Sequence, residues 1–173
     1  HDVESRGLGD VYKRQDMERA KVVCVTYFSE EYPDKLKNIP APPLILYCRG
    51  NTSLLSRRAF GIVGSRRTLP NILKECKKLS GQIAGEFAVV TGTADGADTA
   101  AAEGALASGN LIFVAAQGLA HVYPAGSAKL YGEAAEKGLL MSEQRPEVGA
   151  KAYLFPVRNR LIAALSEGVL VVS

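Results

Sequence analysis

The chain of 173 residues contains no tryptophan and only three cysteines, at Cys24, Cys48 and Cys76. The cysteines form no C-x-x-C pair, which argues against a zinc site and favours buried free thiols in a reducing compartment. No apolar run approaches the roughly 20 residues of a membrane span, and the N-terminus lacks the apolar core of a signal peptide. These absences predict a soluble, cytoplasmic protein without a membrane partner.

The length and composition are those of one ordinary globular domain, with 47% hydrophobic and 23% charged residues. The formal net charge of +3 is too small to indicate a polyanionic partner by itself. Basic residues do cluster, however, and only their position relative to a ligand site can distinguish them from solvated surface charge. The clusters are Arg57–Arg58, Arg66–Arg67, Lys74/Lys77/Lys78 and Arg158/Arg160.

Three regions of the chain are expected to differ in origin or structure. Residues 1–15 include the segment Ser5–Gln15, which fits no fold pattern and resembles a translated sequencing adapter. Residues 16–58 are predicted to form an N-terminal extension, and residues 59–173 a Rossmann-like core. The sequence stops inside the apolar run Val169–Ser173, so we expect the core to be truncated at its C-terminus.

From residue 44 onward, short apolar runs alternate with helical patterns, as in βαβ units. Near-continuous apolar strands are typical of a parallel sheet that is covered on both faces. The predicted fold is therefore α/β and Rossmann-like, with a mainly parallel sheet and helices on both faces. The predicted strands are Lys21–Phe28, Leu44–Tyr47, Phe60–Val63, Ala88–Thr91, Leu111–Ala115, Leu139–Ser142 and Val169–Ser173. The predicted helices are Glu30–Asn38, Leu69–Gly85, Ala97–Ser108, Ser127–Lys137 and Val157–Leu165.

In such a sheet ligands bind beyond the carboxyl ends of the strands, so the loops there are candidate sites. The first loop is Gly64-Ser65-Arg66-Arg67, which combines a permissive backbone, a hydroxyl donor and guanidinium forks suited to phosphate. The alternative is a simple turn with surface arginines. The loop has neither a G-x-G-x-x-G fingerprint nor a P-loop signature.

The second loop contains Gly92, Thr93, Ala94 and Gly96, whose small side chains permit a tight turn with exposed amides. Asp98 follows in the first predicted helical turn. There a carboxylate commonly caps backbone amides or opposes the helix dipole, and we favour that role over catalysis.

The third candidate is Arg158-Asn159-Arg160, at the predicted start of a helix, where two arginines suit a phosphate backbone. His121 is the only histidine outside residues 1–15 and has no paired ligand or nucleophile in sequence. No G-x-S-x-G or H-E-x-x-H motif occurs. The sequence therefore predicts binding, with no catalytic residue, metal or cofactor.

These loops, in this order, resemble the DNA-processing protein A (Smf) family over about Tyr32–Ser173. Each segment alone would be a weak signal, whereas six in register over one domain are specific. The matching segments are YPDKLKNIPAPPLILYCRGN (Tyr32–Asn51), GIVGSRR (Gly61–Arg67), TGTADGADTAAAEGAL (Thr91–Leu106), QGLAHVYPAG (Gln117–Gly126), GLLMSE (Gly138–Glu143) and FPVRNRLIAALS (Phe155–Ser166).

The resemblance implies a protein that binds single-stranded DNA and helps to load the RecA recombinase during natural transformation and recombination. It implies no established catalysis, and the sequence leaves open whether the chain forms a homodimer. We expect binding to single strands in preference to duplex, without sequence preference. The expected DNA-binding residues are Gly64, Ser65, Arg66, Arg67, Gly92, Thr93, Ala94, Gly96, His121, Arg158, Asn159 and Arg160.

Four positions depart from the family pattern. Asp95 and Glu103 stand where basic residues are common, Ala102 replaces a frequent histidine, and Ala120 replaces an aspartate. Acidic side chains near the DNA path weaken phosphate binding electrostatically.

Two other functions stay open. One is a nucleotide sensor or nucleotide-processing enzyme on a related Rossmann-like fold, although the P-G-G-x-G-T motif of phosphoribohydrolases is absent. The other is an interaction module whose DNA site has decayed through changes such as Asp95 and Glu103.

Overall fold

A computed structural model of the chain describes residues 21–173. The prediction for residues 1–15 lies outside these residues, and the division at residue 58 stays a prediction. The strands are β1 (Val23–Thr26), β2 (Ile45–Gly50), β3 (Ala59–Gly64), β4 (Ala88–Thr91), β5 (Leu111–Val114), β6 (Leu139–Ser142) and β7 (Val169–Val172). The helices are α1 (Asp34–Lys37), α2 (Pro70–Ile83), α3 (Ala97–Ala105), α4 (Ala128–Lys137) and α5 (Leu154–Leu165).

All seven strands form one sheet in the order β1-β2-β6-β5-β4-β3-β7. The five strands from β6 to β7 are parallel, whereas β2 is antiparallel to both β1 and β6. The strand order reverses next to β3, since β4 lies on one side of it and β7 on the other. In open α/β sheets a crevice forms at such a reversal, beyond the carboxyl ends of the strands.

Helices cover both faces of the sheet, and the predicted α/β, Rossmann-like class is confirmed. On one face α2, α3 and α4 pack against alternate strand residues such as Val89 and Phe113. On the other, α1 and α5 pack against residues such as Val90 and Ile112. Strands β4, β5 and β6 are buried along their whole length, which explains their continuous apolar runs.

Helices α2 and α3 lie very close together because small residues line their contact. A methyl group on Gly104 would lie 2.2 Å from the carbonyl oxygen of Lys77, so only glycine fits there. The Ser80 hydroxyl donates to the Ala101 carbonyl at 2.6 Å across the same contact. This packing fixes α3 against α2, and α3 begins directly after the loop that follows β4.

Helix α5 begins at Leu154, three residues before the predicted start at Val157. Pro156 lies in the first turn, where a missing N–H costs no hydrogen bond, so the proline is compatible with the earlier start. The shift places Arg158-Asn159-Arg160 in the second turn of the helix instead of at its start. Within residues 21–173 no helix is long and apolar enough to cross a membrane.

Candidate functional site

The two glycine loops pack directly against each other at the carboxyl edge of the sheet. Gly96 has a φ of +80°, a left-handed conformation that favours glycine. A methyl group there would lie 2.5 Å from the Ser65 carbonyl oxygen and 2.8 Å from that of Arg66. The Ala97 amide also donates to the Ser65 carbonyl at 3.2 Å. The loops after β3 and β4 therefore form one structural unit.

The loop after β3 is held by its own hydrogen bonds. Gly64 closely approaches β7, since a methyl group on it would lie 2.0 Å from the Val172 carbonyl oxygen. The Ser65 hydroxyl accepts from the Arg67 amide at 3.1 Å, and Thr68 Oγ1 donates to the Ser65 carbonyl at 3.1 Å. The hydroxyl predicted to contact a ligand is thus already bonded to the loop. The side chains of Arg66 and Arg67 are exposed.

Arg66 lies over an aromatic ring at the edge of a groove. Its guanidinium carbon is 5.5 Å from the centroid of the Phe155 ring, a cation–π distance. The ring of Tyr123 is 5.4 Å from that of Phe155. Together with Lys151 and neighbouring residues, these side chains line a groove of about 400 Å³. The groove combines two cations with two aromatic rings and contains no carboxylate.

Arg158 and Asp98 are buried beneath this surface, with only 4% and 5% of each residue exposed. The Arg158 guanidinium donates to the Val114 carbonyl at the end of β5, and to Asn159 Oδ1 at 3.1 Å. Asp98 Oδ2 accepts from the Ala94 amide at 3.4 Å. Arg158 therefore lies inside the wall of the site, next to Gly92, and Asp98 holds the turn through the Ala94 amide.

Burial and charge act in opposite directions on this pair. Burial raises the pKa of the Asp98 carboxyl above its ordinary value, and the nearby Arg158 guanidinium partly offsets that rise. Burial likewise lowers the pKa of Arg158, which Asp98 counteracts. An arginine stays charged in proteins, so the buried cation needs the Asp98 carboxylate close by.

A second buried polar group supports the loop that carries Tyr123. Gln117 Nε2 donates to the Tyr131 hydroxyl at 2.7 Å, and that hydroxyl donates to the Tyr123 carbonyl at 2.9 Å.

Thr93 is 1% exposed, and Ala94 is half-buried beside it. Both residues of the predicted set therefore shape the floor of the site, and their side chains are not at its surface.

The remaining predicted residues are engaged elsewhere. Arg160 forms an ion pair with Glu143, just after β6, with an N–O distance of 2.5 Å. The exposed His121 bonds through Nε2 with the Glu147 carbonyl at 3.0 Å. Asn159 is exposed on α5. The structure thus brings the two glycine loops together with Arg66, and it places Arg160 and His121 in contacts with other parts of the protein.

The two acidic departures have different surroundings. Glu103 on α3 forms an ion pair with Lys77 on α2 at 2.8 Å, so much of its charge is compensated locally. Asp95 is exposed at the tip of the second glycine loop and forms no ion pair within residues 21–173. Of the two, Asp95 is the one able to repel an anion at the site.

The residues that sequence reasoning missed are Phe155, Tyr123 and Lys151. Phe155 and Tyr123 each stand beside a proline in segments already singled out for their polar residues. An aromatic residue next to a proline in a loop at the carboxyl edge was the available signal. Their closeness to Arg66 could not be predicted, because Phe155 lies 32 residues after Tyr123 and 89 residues after Arg66.

The fold and the site together define a class: a Rossmann-like binding domain with a cationic, aromatic groove at its strand-order reversal. The model of the DNA recombination-mediator protein A family matches residues 23–173. The chain belongs to that family.

Relatives from several bacteria support the assignment. The chain is 37% identical over 147 residues to the DNA processing protein DprA of Bacillus subtilis, covering 83% of this chain and 50% of that protein. It is 36% identical over 141 residues to DprA of Streptococcus pneumoniae, covering 81% and 50%. The chain therefore spans about half the length of these curated relatives.

Two solved structures are similar to the whole described domain. The X-ray structure of S. pneumoniae DprA superposes with a TM-score of 0.81 and 33% identity, covering 88% of this chain and 54% of that one. A Helicobacter pylori DprA structure gives 0.78 and 31%, covering 86% and 68%. The latter is described as a study of a single-stranded DNA binding mode.

Proposed function

We propose that this domain binds single-stranded DNA in the groove beside Arg66 and Phe155. The observation that carries the proposal is the position of the Arg66 guanidinium over the Phe155 ring, 5.5 Å from its centroid. Arg66 and Lys151 supply positive charge for phosphates, and the aromatic rings supply surfaces for bases. This combination is typical of proteins that bind single strands without reading sequence.

The aromatic rings are the reason to expect single strands. Bases in a duplex are stacked on one another, whereas bases in a single strand are free to stack on a protein ring. Tyr123 is 42% exposed and stands at the mouth of the groove.

The wider role proposed for the protein is in DNA recombination and transformation. The family description and the relatives named DNA processing proteins support it. We include in the proposal that the protein acts in the cytoplasm, by binding and not by catalysis, and that it helps to load RecA. Pull-down of RecA on coated single strands tests the partner, and sedimentation tests for a homodimer.

The test of the proposed function is a fluorescence anisotropy titration with a labelled oligothymidylate, the same sequence as duplex, and a mononucleotide. We expect the single strand to bind more tightly than the duplex. Equal or tighter binding to duplex would refute the proposed preference. Binding of the mononucleotide alone would instead support the alternative of a nucleotide sensor.

A further inference from the structure

The outward face of α2 carries two lysines that the groove does not include. Lys74 and Lys78 are four residues apart, so they lie on the same side of the helix, about 6 Å apart along its axis. Both are exposed. Cys76 and Ser80, which are buried, lie on the opposite side of the helix and donate to the carbonyls of Ala97 and Ala101 on α3. The two lysines therefore point directly into solvent.

The neighbouring lysine on the same helix behaves differently. Lys77 faces α3, where its charge is paired with Glu103 at 2.8 Å. Lys74 and Lys78, in contrast, form no ion pair with any of residues 21–173. Glu75 is the nearest carboxylate in sequence. It lines the flank of α2 that faces β7, which Lys78 also borders, but no ion pair joins Glu75 to either lysine. Two exposed lysines that form no ion pair with residues 21–173 thus lie on one side of α2.

This lysine face continues from the arginine loop. Helix α2 begins at Pro70, three residues after Arg67, and Arg66 and Arg67 are both exposed. From Pro70 to Lys78 the helix covers about 12 Å, and it leads away from the carboxyl edge of the sheet. A chain of positive charge therefore runs from Arg67 over Lys74 to Lys78.

We propose that a single strand leaving the groove continues along the outward face of α2, with its phosphates on Lys74 and Lys78. Cations at fixed positions attract the phosphates of an extended strand, and this attraction gives affinity without sequence selection. The inference rests on the proposed function and extends it, because it predicts that affinity depends on strand length beyond the groove.

The test uses the whole chain with Lys74→Ala and Lys78→Ala combined, and oligothymidylates of about 6 and about 20 nucleotides. Alanine favours the helix and the positions are exposed, so the variant should fold, which thermal unfolding checks. We expect affinity for the long strand to fall on the order of tenfold and its log–log salt slope to drop by about 1.4. Affinity for the short strand should be unchanged.

The matched control replaces Lys21 and Lys137 with alanine. Both lysines are exposed, and their replacement removes the same net charge from other parts of the surface. It should bind both strands like the wild type. An unchanged affinity of the α2 variant for the long strand would overturn the proposal, as would an equal loss on both lengths or an equal loss in the control. Failure of the wild type to bind any oligonucleotide would refute the proposed function itself.

Discussion

Asp98 and Arg158 both lie against the α-carbon of Gly92, in the space that a side chain at that position would fill. A methyl group on the Gly92 α-carbon would lie 2.3 Å from Asp98 Oδ2 and 2.4 Å from Arg158 Nη1. The buried pair and the glycine turn therefore fix each other, although the two charged residues are 60 positions apart in sequence.

The first prediction follows from this contact. Gly92→Ala should lower the free energy of unfolding by about 1–3 kcal/mol, because the methyl group displaces buried side chains. Gly132→Ala is the control, since nothing lies within 4 Å of a methyl group there on α4. That change should stabilise the protein by about 0.5–1 kcal/mol. Urea unfolding measures the change in free energy for both variants. Equal effects of the two substitutions would show that the side chains around Gly92 can move aside for a methyl group.

The second prediction separates the two arginines of the site. Arg158→Met should lower the free energy of unfolding by about 3–5 kcal/mol, because it leaves the Asp98 carboxylate buried without its cation. Arg66→Met should change stability by no more than about 0.5 kcal/mol, as expected for an exposed side chain. If Arg158→Met kept full stability and lost only DNA affinity, Arg158 would contact DNA directly.

The third prediction concerns pH. The pKa of Asp98 is raised above its ordinary value by burial, so the folded state binds this proton more tightly than the unfolded state. The stabilisation from the proton is fully present below the ordinary pKa and is lost as the pH rises through the raised one. The free energy of unfolding of the wild type, minus that of Asp98→Asn, should therefore increase as the pH falls from about 7 to about 4. If this difference in the free energy of unfolding became smaller as the pH falls, it would contradict the raised pKa of Asp98.

The fourth prediction tests the aromatic surface. Phe155→Leu should keep the apolar contacts of α5 but weaken single-strand binding by about 1–3 kcal/mol, the usual contribution of one stacked base. Phe28→Leu is the control, because Phe28 is 90% exposed and follows β1, the edge strand that four other strands separate from β3. If Phe155→Leu bound single strands as tightly as the wild type, the groove would bind DNA by electrostatic attraction alone.

Much of the fold could be predicted from sequence, because the signals were local. Strands β4, β5 and β6 are buried on both faces, so their apolar runs are continuous and their ends are sharp. The two glycine loops follow strands directly, and parallel strands bring their carboxyl ends to the same edge. The antiparallel direction of β2 could not be predicted, since it depends on pairing with β6, some 90 residues later.

The details of the site were less predictable for the same physical reason. A start of α5 at Val157 would have put Arg158 in the first turn, open to a ligand. In the structure the helix begins at Leu154 and packs with the Arg158 side chain toward the sheet, where the Val114 carbonyl of β5 accepts its hydrogen bond. The pairing of Arg160 with Glu143 also joins two separate elements. The residue types identified the arginines as candidate DNA ligands, but only the packing decides which guanidinium groups are exposed.

The central claim is that Arg66 contacts the phosphates of a bound single strand, and its most direct test is salt dependence. Arg57→Ala is the matched control, because Arg57 lies before β3 at the amino edge and bonds with Asn110 Oδ1 at 2.7 Å. We measure the affinity of the wild type, Arg66→Ala and Arg57→Ala for one oligothymidylate over a range of salt concentrations. If Arg66 contacts a phosphate, Arg66→Ala lowers the log–log slope by about 0.7 and Arg57→Ala matches the wild type. An equal loss of affinity and slope in both variants would show a diffuse basic surface and contradict a phosphate contact specific to Arg66.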